Sequence, residues 1–140
     1  MFCRVAWSAA TAPTTGNVQI RASVQEPARL YGDAKVLLVP STYPEAWGRV
    51  VPEAQMSGIP VVAAAIGGLP EAVGDGGILI DPAASTETWS RTVSDLWDND
   101  TAYRRCVGMA ERNAKRADLS ARAVGDRFDS LLRELVDRAA

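Results

Sequence analysis

The pattern of apolar positions divides the chain into two parts. Between residues 17 and 82, short apolar runs alternate with stretches of helical spacing, each bounded by turn-forming residues. "NVQIRA" (17–22) has strand character. "EPARLYGD" (26–33) predicts a short helix with Pro27 at its first position, where a missing N–H costs nothing. "KVLLVP" (35–40), "IPVVAAA" (59–65) and "GGILIDP" (76–82) are apolar runs between turn residues, the pattern of strands buried on both faces. Pro60 fits at the start of its strand and nowhere later. A helix is expected from about Arg49 to Ser57, with Gly58 closing it in a left-handed conformation. "GGLPEAVG" (67–74) predicts a turn and a short helix that again begins on a proline.

From Ser85 onward the spacing is helical only. Trp89, Val93, Leu96 and Trp97 share one helix face, and Asn99 ends that helix. Asp100 is the expected cap of the next helix, whose stripe is Tyr103, Cys106, Val107, Ala110 and Ala114. Ser120 is the expected cap of the last, striped by Val124, Phe128, Leu131, Leu132 and Leu135. Such stripes predict core contacts. Strands alternating with helices predict an α/β fold with a parallel sheet. Residues 1–16 have no period and are expected to be a tail, leaving 17–140 as one Rossmann-like domain.

Composition narrows the function. The chain has 140 residues, 47% of them hydrophobic and 23% charged, an ordinary globular balance. A net charge of −2 leaves no electrostatic footprint for nucleic acid or an anionic membrane. No apolar run approaches the roughly 20 residues of a membrane span. "MFCRVAWSAATA" makes a poor signal peptide because Arg4 interrupts a short apolar stretch. Cys3 and Cys106 form no spacing motif, so a reduced, cytoplasmic setting is expected. The absence of histidine rules out Ser-His-Asp and Cys-His catalysis and any histidine-based metal site. "DND" (98–100) has the letters of a metal motif but falls between two helices, where it predicts a turn and a cap.

The chemistry concentrates in "PEAWGRVVPE" (44–53), which follows the strand at 35–39 and enters a helix. Pro52 restricts that helix to beginning near Gly48 or Arg49. The amides of Gly48, Arg49, Val50 and Val51 are then free donors at a helix start, with a glycine that lets an anion approach. Glu45 lies ahead of these amides and Glu53 about one turn beyond them. Acids touching a phosphate would repel it. Acids receiving sugar hydroxyls on either side of a diphosphate would not. Two readings stand at this point: a helix start with acids favoured by the macrodipole, or an anion site for a sugar–diphosphate–ribose ligand.

With its neighbours included, "YGDAKVLLVPSTYPEAWGRVVPEAQMSGIPVVAAAIGGLPEAVGDGGILIDP" resembles the nucleotide-sugar half of GT-B glycosyltransferases of the group 1 (family 4) type. The shared features are the E-x7-E signature from Glu45 to Glu53, then "SGIPVVA" and "GGLPE" at the family's spacing. The resemblance implies a partial C-terminal GT-B domain: a Rossmann-like parallel sheet with flanking helices and further C-terminal helices. It implies that Glu45 holds donor-sugar hydroxyls and serves the catalytic step. The backbone at Trp47, Gly48, Arg49 and Val50 would meet the sugar or diphosphate. Glu53 would take both ribose hydroxyls, and Val24 would stand where the family's backbone meets the nucleobase. Family members transfer a sugar from a UDP-, GDP- or ADP-type donor with retention, and without a metal.

Two departures from the family pattern carry expectations of their own. The chain has no room for a first, acceptor-binding domain, and no match to the family's Arg/Lys pair that neutralises the leaving diphosphate. Weak binding and little or no catalysis by the isolated chain are therefore expected. So is a partner: a separate chain supplying the acceptor domain, or a second copy of this one, covering exposed apolar edges. The competing expectation is a non-catalytic Rossmann-like module acting through protein contacts.

Overall fold

The computed structural model describes residues 3–6, 18–21 and 30–139. Its elements run β1 (Cys3–Ala6), β2 (Val18–Arg21), β3 (Leu37–Val39), α1 (Val50–Met56), β4 (Val61–Ala64), α2 (Leu69–Val73) and β5 (Gly77–Ile80). The chain then forms α3 (Thr86–Asp98), α4 (Asp100–Ala114), a 3-10 turn (Ala117–Leu119) and α5 (Ala121–Ala139). Residues 1–16, expected to be a tail, contain β1, which pairs in parallel with β2. Of the helix expected at 26–33, Leu30 and Tyr31 are helical, and its first residues, like Val24, lie outside the described residues.

The larger sheet has the order β3-β4-β5, all parallel, with Leu37 beside Val61 and Val61 beside Gly77. Alternation sends Val39, Val61 and Ala63 to one face, where they meet Val51 and Ala54 of α1 and Leu69, Ala72 and Val73 of α2. Val62 and Ile80 point the other way, against Leu96 and the partly buried Trp89, Tyr103 and Cys106 of α3 and α4. Each fully buried large side chain here, such as Val51, Val61, Val62 or Leu69, contributes about 1.5–3 kcal/mol. The three strands were expected to be buried on both faces, and only β4 is. β3 and β5 each have one partner in this sheet and leave Leu38 and Leu79 exposed. A short apolar run marks a strand without telling centre from edge.

Polar side chains lock the layers. Gln55 of α1 is fully buried, donating to the Val73 carbonyl at 3.0 Å and accepting from Asn113 of α4 at 2.8 Å. Asn113 also donates to the Ala72 carbonyl at 3.2 Å, so one knot joins α1, α2 and α4. On the other side, Lys35 Nζ lies 4.6 Å from the Trp97 ring centre and 4.9 Å from that of Tyr103. It donates to the Trp97 carbonyl at 2.8 Å, while Tyr103 donates its hydroxyl to the Lys35 carbonyl at 3.1 Å.

Two helix expectations are corrected. The side chain capping α4 is that of Asn99, whose Oδ1 accepts from the Ala102 amide at 3.0 Å, and Asp100 is the first helical residue. The stripe Val124, Phe128, Leu131, Leu132 and Leu135 of α5, expected in the core, is exposed. Periodicity identifies the apolar face of a helix but supplies no neighbour for it. Ser120 does cap this helix, accepting from the Ala123 amide at 3.1 Å.

Candidate functional site

The carboxyl ends of β3 and β4 face the same way, and the loops leaving them make the candidate site. The β3 loop runs from Pro40 to Arg49, and the β4 loop from Ala65 to Gly68. They are joined by backbone: the Gly68 amide donates to the Glu45 carbonyl at 2.7 Å. A Cβ on Gly67 would come within 2.5 Å of the Glu45 carbonyl oxygen, and one on Gly68 would strike the carbonyl of Ala46. The glycine pair seen in "GGLPE" is thus required by packing against the first loop.

Gly48 stands at the centre with φ +72, a left-handed conformation that glycine adopts freely. Leu69 at the head of α2 fills the space its side chain would need. Glu45 Oε2 borders the same spot, 3.2 Å from where a Cβ would lie. The carboxylate is held through Oε1 by a hydrogen bond from the Ser41 hydroxyl. Trp47 is half-buried and packs on the core.

α1 begins at Val50, one residue later than anticipated. The Val51 amide already donates to the Gly48 carbonyl at 2.9 Å and is removed from the expected set of free donors. Those of Gly48, Arg49 and Val50 donate to no protein acceptor among the described residues. Arg49 points outward, its side chain 88% exposed, with a loose contact of 3.8 Å to Glu53 Oε1. Glu53 sits in the first turn of α1, its side chain 37% exposed.

One residue of the site was not singled out from the sequence. Tyr31 is 5% exposed and donates its hydroxyl to Glu53 Oε2 at 2.9 Å. Burial, and secondarily the Glu53 carboxylate, push its phenol well above the usual tyrosine range. Their separation of 22 positions leaves no periodic signal that could pair them. Ser41 was equally silent. Among the described residues no group of three His, Cys, Asp or Glu side chains could hold a metal, and no helix is long and apolar enough to cross a membrane.

The parallel three-stranded sheet flanked by helices resembles a GT-B glycosyltransferase domain. HepE of Anabaena, solved in complex with UDP and glucose, superposes with a TM-score of 0.73 at 25% identity, covering 84% of this chain and 32% of that one. A glycosyltransferase from Rickettsia africae superposes at 0.71 with 22% identity, over 86% of this chain and 32% of its own. A family model described as Glycosyl transferases group 1 matches residues 8–116, and the chain belongs to that family. Among curated proteins, the D-inositol 3-phosphate glycosyltransferase of Corynebacterium aurimucosum is 57% identical over 49 residues, 35% of this chain and 11% of that protein. Its Streptomyces griseus counterpart is 62% identical over 40 residues, 29% of this chain and 8% of the counterpart. The matched segment thus spans about a tenth of these relatives.

Proposed function

We propose that the chain binds the nucleotide-sugar donor of a sugar transfer that retains anomeric configuration. The observation that carries this is the run of three amides, Gly48 to Val50, that donate to no acceptor among the described residues and lie between Glu45 and Glu53 at the carboxyl edge of the sheet. Backbone N–H groups suit the diphosphate, and a glycine without a side chain allows its close approach. Glu45, steadied by Ser41, takes hydroxyls of the donor sugar and stands at the transferring carbon. The Trp47 backbone borders the sugar. Glu53 takes the ribose diol with its two acceptor oxygens, and the segment around Val24 receives the base. The UDP of HepE supports a nucleoside diphosphate donor. With amides serving the diphosphate, no metal is needed.

The chain in this reading is a cytoplasmic donor-binding domain. Alone it transfers little or no sugar, because the cation beside the diphosphate amides, Arg49, is nearly fully solvated and already in contact with Glu53. Its partner is a separate chain supplying the acceptor domain or, without that, a second copy of itself. Light scattering distinguishes the two, and a monodisperse monomer unaffected by an added acceptor domain removes both.

Calorimetric titration with UDP-, GDP- and ADP-glucose, with EDTA present, tests the donor assignment. Saturable binding by one of them, weakened about 10–100-fold in Glu53→Ala, is the expected result. No heat from any of the three would leave a module working through protein contacts.

A further inference from the structure

Every carboxylate that grips a diol must have its oxygens aimed before the ligand arrives, or ordering them costs affinity. Glu53 lies on a seven-residue helix with more than a third of its side chain open to solvent, so its own backbone does not fix its rotamer. Arg49 does not fix it either, being 88% exposed and 3.8 Å away. The fixed object next to Glu53 is Tyr31. Its ring is built into the core cluster with Val51 and Ala54 of the same helix, and its hydroxyl meets Oε2 at 2.9 Å. A second, longer contact of that hydroxyl, 3.5 Å to the Val50 carbonyl, ties the phenol to the first turn of α1.

From this geometry we infer that Tyr31 is a positioning residue for ribose recognition: it pins Oε2 of Glu53 and leaves Oε1 directed outward for the sugar diol. The inference rests on the donor-binding reading of the site and deepens it. A carboxylate has about four lone-pair positions, so the bond to Tyr31 takes one and leaves enough for two hydroxyls. The phenol stays protonated throughout the physiological range because burial and the adjacent acid both favour its neutral form. It is therefore a permanent donor. Tyr31 touches no ligand in this arrangement. It acts through Glu53 alone, so it governs discrimination between ribose and deoxyribose and has no direct part in holding base or diphosphate.

The test uses UDP, GDP and ADP and the 2′-deoxy form of each, titrated into the whole chain and into Tyr31→Phe, which keeps the buried ring. Wild type is expected to prefer the ribonucleotide about tenfold or more, the worth of a hydrogen bond to a charged group. In Tyr31→Phe that preference falls several-fold toward parity, while affinity for the deoxynucleotide barely changes. In Glu53→Ala the preference is already gone, and adding Tyr31→Phe alters nothing further. A purely structural tyrosine would lower both affinities together, and an unchanged ribose preference in Tyr31→Phe would overturn the inference while leaving the donor site intact. Binding of no nucleotide by wild type would overturn both. If Tyr31→Phe does not fold, tyrosine ring-carbon labelling of wild type gives three signals. The Tyr31 signal is expected to move with the bound ribonucleotide and not with its 2′-deoxy form, and equal responses to the two would refute the role.

Discussion

Leu69 at the head of α2 lies directly against the Cα of Gly48, in the place a side chain there would occupy. Two neighbouring strands therefore share one steric condition at the site: the β3 loop can turn where it does only if it carries glycine, and α2 can seat its first leucine only under that glycine. Gly48→Ala meets both a φ of +72 and the leucine methyl. A loss of about 1–3 kcal/mol in urea unfolding is expected, and Leu69→Ala in the same chain would relieve the clash but not the backbone strain. If Gly48→Ala costs nothing further in a chain that already carries Leu69→Ala, the turn itself tolerates a Cβ.

On the donor-binding reading, Ser41 should bear on sugar and not on nucleotide. Its hydroxyl holds Glu45 Oε1, and it makes no contact with Glu53. Ser41→Ala is expected to weaken binding of a nucleotide sugar several-fold while leaving affinity for the bare nucleoside diphosphate within about twofold. Parallel calorimetry with the two ligands measures this. Equal losses would separate Glu45 from the sugar.

Gln55 and Asn113 are buried and every polar atom of theirs has a partner. Removing Gln55 leaves an Asn113 N–H without its acceptor, and removing Asn113 leaves Gln55 Oε1 and the Ala72 carbonyl without a donor, so Gln55→Ala and Asn113→Ala are each expected to cost about 1–3 kcal/mol. The pair should cost less than the sum, because the 2.8 Å bond between them is lost once in either single variant. Urea denaturation of the four-member cycle reads the coupling. Strict additivity would mean the two side chains do not share a bond in solution.

Tyr31 also sets how the protein responds to alkali. Burial, then Glu53, raise its phenol above the ordinary tyrosine value of about 10, so the folded chain keeps a proton that the unfolded chain releases. Its contribution to stability is whole below about pH 10 and declines as pH rises above that value. Tyr103 is raised by burial as well and adds to the decline. Urea midpoints at pH 9 and pH 11 should therefore diverge more for wild type than for Tyr31→Phe. Identical pH slopes would mean the phenol is not buried in solution.

Much of this was legible in the chain, for identifiable reasons. β3, β4, β5 and the helices of the second half follow from apolar runs and from period, and Gly58 ends α1 in the left-handed conformation its position suggested. The segment holding Glu45 and Glu53 stood out because both acids and Gly48 lie within ten residues of sequence. What sequence could not give was anything set by neighbours. Leu38 and Leu79 look as buried as Val62 until the sheet's order puts them at its margins. Phe128 and Leu132 have the spacing of core residues and face water. Tyr31 and Ser41 matter only through carboxylates that folding brings to them.

The contact of Gly67 and Gly68 with the backbone of Glu45 and Ala46 reaches beyond this one chain. Neither loop can be exchanged singly for a relative's version, since a bulkier residue at either glycine would drive into the carbonyls of the other segment. Grafting at this site would thus require transplanting the two segments as a matched set, and in natural variation they are expected to travel together.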